Sequence, residues 1–323
     1  MAQQESGSNK QRSKNQNRSV APSKRAPTKA AKRSSFSPIS WIAIGVVLVV
    51  VIGLVIYAVT SGNSGSTTGG NPYEVAPAAL VKQVTQIPAS VYNTVGVTSS
   101  VAQVTVPTQI SGQTPLTFPG TTGTQKPGVF YFGSEYCPYC ATERWAVVAA
   151  LSRFGPISGL GLTSSSSTDI YPNTPSFTFV KASFGTQDIE VRAVENLSNI
   201  PSSDGQGYTT LENPTKAQLA LLNKYESGKY LPSSVSPGTI PFIDIGNQFL
   251  VAGASFSPAL LNGLSRDQIA AGLDDPTNPV TQAIITTANY LTASICKTTS
   301  GQPGDVCQSK GVQAAAKAMK ISF

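Results

Sequence analysis

Residues 128–155 read GVFYFGSEYCPYCATERWAVVAALSRFG. Val129–Phe132 is a short, wholly apolar and aromatic run of the kind that fills a buried strand, and Gly133–Tyr136 is a turn. Cys137 then falls at an N-cap-like position, and Pro138 falls where a first-turn proline is favoured. Ala141–Phe154 has the composition of a helix, stopped by Gly155. Both sulfurs of Cys137-Pro138-Tyr139-Cys140 therefore lie at the N-terminus of a helix, where free N–H groups and the positive end of the helix dipole favour a thiolate. Cys137 is expected to be the exposed nucleophile. Cys140, one turn inside, is placed to resolve a mixed disulfide by attacking Cys137. A CxxC alone says little, but set between a strand and a helix it has the geometry that thiol–disulfide exchange needs. The bland reading of the pair is an inert local disulfide, against which stands the small entropic gain of closing so short a loop.

The rest of the composition narrows the chemistry. Histidine is absent from the 323 residues, which removes Ser-His-Asp and Cys-His nucleophile pairs, His-containing zinc sites and His-ligated haem. No metal is expected. The cysteine pair Cys296 and Cys307 lacks the spacing of compact zinc modules, and the only methionines are Met1 and Met319, which speaks against a copper carrier. The formal charge of +7 is unevenly spread. Nine cations between Lys10 and Arg33 stand against the single anion Glu5, a net of +8, and the remainder is nearly neutral. The charge thus belongs to a polar tail over 1–38, disordered by composition, and no basic body exists for gripping nucleic acid.

Ile39–Val59 is free of charge. As a helix it would span about 32 Å, enough for a hydrocarbon core of about 30 Å. It is longer than the apolar core of a cleaved signal peptide, and the cations lie only on its N-terminal side, so the tail is expected in the cytoplasm and everything beyond residue 60 outside. Trp41 and Tyr57 sit near its ends, as interfacial aromatics do. A Gly/Ser/Thr linker over 60–76 follows, and the globular part is expected at 77–323. Within it, Ser176–Ala182 and Gln187–Val194 read as strands able to pair, and Pro214–Tyr225 as a helix capped by Asn213. Phe242–Ile245 and Phe249–Ala252 read as a hairpin turning at Gly246-Asn247.

Two motifs in order carry a resemblance to the thioredoxin superfamily. The spacing of Phe132, Glu135, Tyr136 and Cys137 resembles the entry to the thioredoxin CxxC, while the Pro-Tyr dipeptide is the one usual in glutaredoxins. Further on, GTIPFIDIGNQFLVAG (238–253) is similar to the segment in which a cis-proline, here Pro241, precedes a hairpin. The basic tail, the anchor and YCPYC followed by ERWA are together similar to an uncharacterised membrane-anchored thioredoxin-like family of prokaryotes. The resemblance implies an α/β fold, a central sheet flanked by helices. It also implies an insertion at about 156–232 between the CxxC helix and the cis-proline strand, and a helical extension over about 257–323. It implies a thiol–disulfide oxidoreductase without a cofactor, anchored in the membrane lipid bilayer, facing outside the cytoplasm and acting on cysteines of exported proteins with an unidentified redox partner. Ile240, Pro241, Tyr136 and Tyr139 would form the substrate groove.

Against the family pattern, Tyr131 stands six residues before Cys137, where thioredoxins carry a buried acid. Proton handling then falls to water, Glu135 or Glu143. Trp145 reads as core packing and Glu143-Arg144 as a solvated helix face. Cys296 and Cys307 flank Gly301–Gly304, a turn between helices, and their simplest pairing is with each other as a structural staple; a second redox pair is the functional alternative. The competing function class is a non-catalytic anchored interaction domain. Oxidase, reductase and isomerase are not separated by spacing.

Overall fold

A computed structural model describes residues 73–98 and 103–323. The tail, the apolar segment over 39–59 and most of the linker lie outside the described residues. Among the described residues no helix is long and apolar enough to cross a membrane.

The strands are β1 (Glu74–Val75), β2 (Thr108–Gln109), β3 (Thr117–Pro119), β4 (Gln125–Gly133), β5 (Ile157–Ser158), β6 (Gly161–Ser164) and β7 (Pro175–Thr178). They continue with β8 (Ser183–Phe184), β9 (Glu190–Glu195), β10 (Leu197–Pro201), β11 (Tyr208–Thr210), β12 (Phe242–Ile245) and β13 (Phe249–Ala252). The α-helices are α1 (Ala78–Thr85), α2 (Ala89–Val95), α3 (Pro138–Leu151), α4 (Lys216–Tyr225), α5 (Arg266–Gly272), α6 (Pro279–Thr298), α7 (Gly304–Cys307) and α8 (Lys310–Met319). The protein is a mixed α/β fold with a multi-strand sheet flanked by helices.

Alternation along the strands divides the sheet into two apolar faces. Val129 and Tyr131 of β4, Ile243 and Ile245 of β12, and Phe249 and Val251 of β13 point to the face covered by α3 and α6. Phe130, Phe242 and Leu250 point the other way, toward Leu222 and Tyr225 of α4. A strand covered on both sides favours apolar residues at every position, and Val129–Phe132 accordingly shows no polar alternation.

β4 is the axis of this sheet. It pairs in parallel with β9 and antiparallel with β12, which pairs antiparallel with β13, and β2 and β3 complete the edges. The return from β4 to the parallel β9 is a crossover connection that runs through α3 and then β5–β8, so the CxxC helix follows directly on the central strand. The hairpin between β12 and β13 turns on Gly246 and Asn247, both with positive φ (65° and 54°), as a two-residue turn of this kind requires.

Four expectations change. The strands read at 176–182 and 187–194 exist but do not pair: β7 joins β6 antiparallel and β9 joins β4. A pattern of side chains specifies a strand, not its neighbour. The segment over 156–232 is accordingly not wholly inserted, since β9 belongs to the central sheet. The helix expected from Pro214 starts at Lys216, and its cap is Thr215, not Asn213. The Thr215 hydroxyl accepts from Gln218 N–H while Gln218 Oε1 accepts from Thr215 N–H, a reciprocal closure that Asn213, on the far side of Pro214, does not make. Residues 73–76, read as linker, already take part in the fold. Glu74 and Val75 pair with β6, Tyr73 Oη donates to the Gly159 carbonyl at 2.7 Å, and Ala76 N–H donates to the Leu160 carbonyl at 2.8 Å.

The helices after residue 257 are no appendage. α6 packs along α3 on the sheet, and Leu291 and Ile295 share a small apolar cavity with Val129, Ile243 and Ile245. Every residue of α3 except Tyr139 is buried, because the helix is enclosed by the sheet, α6, α1 and β7.

Candidate functional site

Cys137 caps α3. Its φ and ψ are extended (−78°, 121°), its sulfur accepts from Cys140 N–H at 3.3 Å, and Pro138 follows at the first helical position. The helix thus begins at Pro138 and ends at Leu151, three residues before the expected Phe154. Across from it the Ile240–Pro241 peptide is cis, and the Cys137 thiol contacts the Ile240 carbonyl oxygen at 3.8 Å. Cys137, Cys140 and the Ile240–Pro241 loop, although 103 residues separate Cys137 from Ile240, therefore form one site.

Cys137 is 5% exposed and Cys140 is fully buried, and neither is bridged. The exposed nucleophile expected from the sequence is in fact set below the surface, with the Ile240 carbonyl against its sulfur. The residue that does reach solvent is Tyr139, 41% exposed.

The two thiols differ in electrostatics. The hydrogen bond from the Cys140 thiol holds Cys137 below the ordinary thiol range; burial opposes this, while backbone N–H groups and the Arg144 guanidinium assist. Burial pushes Cys140 well above that range. The asymmetry is of the kind that an attacking and a resolving sulfur require, a lower pKa for the first and a higher one for the second.

Tyrosines surround the site. Tyr136 stacks on Tyr208 of β11 with centroids 4.4 Å apart and planes within 6°, and Tyr139 meets Tyr171 edge-on at 6.3 Å. The loop carrying Tyr171 is tied to the site, since Ser166 N–H donates to the Tyr136 carbonyl at 2.8 Å. Tyr208 and Tyr171 were not legible as site residues, because nothing local distinguishes a tyrosine in a polar hairpin or loop from any other.

Beneath the cysteines lies an ion pair with one member, Arg144, that the sequence reading placed on a solvated helix face. Arg144 and Glu195 are both fully buried, and they form a bidentate bridge through Nε–Oε1 at 2.7 Å and Nη2–Oε2 at 2.6 Å. Arg144 Nη2 also donates to the Ser134 carbonyl at 2.8 Å. Glu143 is fully buried too, with Oε2 accepting from Ser255 N–H at 2.7 Å and Oε1 from Ser255 Oγ at 2.9 Å. Burial raises the Glu143 carboxyl to about 7. Both side chains turn inward because α3 has no solvated face to offer them. The available signal was the helix itself: a charged dipeptide followed by WAVVAAL has no polar stripe to join.

The other expected residues divide as follows. Trp145 is core, 1% exposed, with Nε1 donating to the Pro175 carbonyl at 2.9 Å. Glu135 is 4% exposed and its carboxyl is raised by burial. Tyr131 is buried and its hydroxyl has no hydrogen-bond partner among the described residues. Among the described residues no group of His, Cys, Asp or Glu is arranged to hold a metal.

Residues 120–297 match a family described as a domain of unknown function (DUF929). The chain belongs to this family. The DUF929 segment takes in β4, α3, the Arg144–Glu195 bridge, the Ile240–Pro241 loop and Cys296, and it stops short of Cys307. No curated protein and no solved structure matches the chain.

Cys296 and Cys307 are joined as a disulfide, with Cα atoms 5.6 Å apart and both residues fully buried. Mild treatment of the folded protein with a dithiol, followed by alkylation under denaturing conditions, should label Cys137 and Cys140 and leave this bridge unlabelled. Equal labelling of all four would show that the second pair exchanges with the first.

Proposed function

We propose that this chain is a membrane-anchored thiol–disulfide oxidoreductase whose thioredoxin-like domain lies outside the cytoplasm and acts on cysteines of exported proteins. The observation that carries this reading is the setting of Cys137. It caps a buried helix, accepts Cys140 N–H, and faces the carbonyl of a residue joined by a cis bond to Pro241. The sheet order supports it, with the CxxC strand flanked by one parallel neighbour and one antiparallel neighbour that leads into a hairpin. The anchor and the orientation rest on the apolar run over 39–59 and the cations before it.

In the reductive direction the Cys137 thiolate attacks one sulfur of a substrate disulfide. A mixed disulfide forms and the other substrate sulfur leaves as thiolate. Cys140, on losing its proton, attacks the Cys137 sulfur and releases the substrate's second thiol. The Cys137–Cys140 disulfide that remains holds the two electrons' worth of oxidation, and a dithiol partner restores it. Oxidation of a substrate dithiol runs the same steps backwards. Glu143 is a poor proton acceptor for Cys140, because both its oxygens are engaged by Ser255.

One observation favours the competing reading, a binding module that keeps the fold without the chemistry: Cys137 is only 5% exposed, and its neighbours Tyr136 and Tyr139 pack on Tyr208 and Tyr171. Full-length Cys140→Ser protein separates the two. If Cys137 exchanges with substrates, this variant accumulates mixed disulfides that a thiol reagent releases and that Cys137→Ser/Cys140→Ser lacks. Identical adduct patterns for the two variants would leave the binding module.

A further inference from the structure

We propose that Arg144 is a positioning residue that sets how readily Cys137 exists as a thiolate, and that Glu195 trims its charge. This deepens the oxidoreductase reading, but its readout is the chemistry of one sulfur and needs no turnover.

Cys137, Cys140 and Arg144 follow one another at helical spacings of three and four along α3, so they share a face of the helix. Arg144 is joined to the turn as well as to the helix. Its Nη2 donates to the Ser134 carbonyl at 2.8 Å, and the same carbonyl receives Cys137 N–H at 3.4 Å. The guanidinium is fully buried and therefore poorly screened by water or salt. Glu195 occupies Nε and Nη2, whereas Nη1 has no acceptor among the described residues, so the bridge leaves part of the cation unanswered.

A buried ion pair costs desolvation energy that its mutual attraction seldom more than repays, so it is weak as a device for stability alone. Its position suits it to act on sulfur. The titratable groups facing Cys137 are Cys140 and Arg144 from α3, Tyr131 from β4 and Tyr136 from the turn; of these only Arg144 is a fixed cation. Glu195, from β9, faces Tyr131 and Glu135. Arg144 thus favours the thiolate, and Glu195 sits behind it as counter-charge.

The test follows alkylation of Cys137 by iodoacetamide against pH in reduced full-length protein, with the label assigned by peptide mass. The variants are Glu195→Gln, Arg144→Lys and Arg144→Met/Glu195→Gln. Removing the anion leaves the cation less compensated, so Glu195→Gln should move the midpoint down. For a fall of about one unit, the thiolate fraction well below the midpoint rises about tenfold, and the alkylation rate about three- to fourfold once the weaker nucleophilicity of the more acidic thiol is counted. The neutral double variant should move the midpoint up, and Arg144→Lys should stay near the parent. Opposite signs are the signature of charge, since loosened packing has no reason to move the two variants in opposite directions. An upward or absent shift in Glu195→Gln overturns the proposal, and that variant decides alone if the double variant fails to fold. Shifts of the expected signs in a protein without turnover would remove the oxidoreductase reading and leave this one standing.

Discussion

Cys137→Ser is expected to lower turnover of a small disulfide by more than about a thousandfold, the scale of losing a nucleophile, with the fold intact. Serine is among the best N-cap residues, and its Oγ can take the Cys140 N–H that the sulfur now accepts at 3.3 Å, so α3 should start where it does in the parent. What is lost is sulfur. An oxygen at this site cannot form the mixed disulfide, and Cys140, buried and held as a thiol, cannot substitute. The assay is dithiol-driven reduction of a small disulfide, read beside near-ultraviolet circular dichroism to check packing. Turnover in folded Cys137→Ser protein near the parental level would place the chemistry elsewhere.

The second large effect is on stability against pH. The Glu143 carboxyl is raised by burial from an ordinary value of 4.5 to about 7, and Asp244, also fully buried, is likewise raised to about 7. A carboxyl whose pKa is higher folded than unfolded keeps its proton longer in the native state. Its contribution to stability is complete below about 4.5 and is lost as pH rises through about 7. For Glu143 this amounts to about 3 kcal/mol. The domain should therefore be more resistant to urea at pH 5 than at pH 7.5, the reverse of a protein whose carboxylates are held ionised by cations. Glu143→Gln keeps the shape without the titration and should flatten the dependence by that amount. Equal slopes for parent and variant, or stability rising with pH, would contradict the assignment.

What the sequence disclosed and what it hid follow from the range of the interactions. β4, the start of α3 and the β12–β13 hairpin are written in neighbouring residues: an apolar run, a cap followed by proline, and Gly-Asn at a turn. Each is settled within a few positions. The CxxC was legible for the same reason. The inward turn of Glu143 and Arg144 was not, because their partners, Ser255 and Glu195, lie 112 and 51 residues away. On a helix drawn alone, two adjacent charges read as solvated. The partner of β9 was hidden likewise: the pattern identifies a strand, and only the tertiary fold sets it beside β4 instead of β7. The depth of Cys137 was illegible because the Ile240 carbonyl that lies against it comes from another part of the chain.

The short pairing of β1 with β6 bears on how the domain would respond to force. Any tension reaching the domain along the chain before Tyr73 is applied first to a two-residue strand, the Tyr73–Gly159 bond and the Ala76–Leu160 bond. β7 on the other side of β6 is clamped to α3, through Trp145 Nε1 to the Pro175 carbonyl and Ser176 Oγ to the Ala141 carbonyl. The load path therefore meets its weakest link at the outermost strand, and β1 would peel before the load is passed on to α3. Loss of β1 in this way would leave the β6–β7 pairing and the two bonds from β7 to α3 in place.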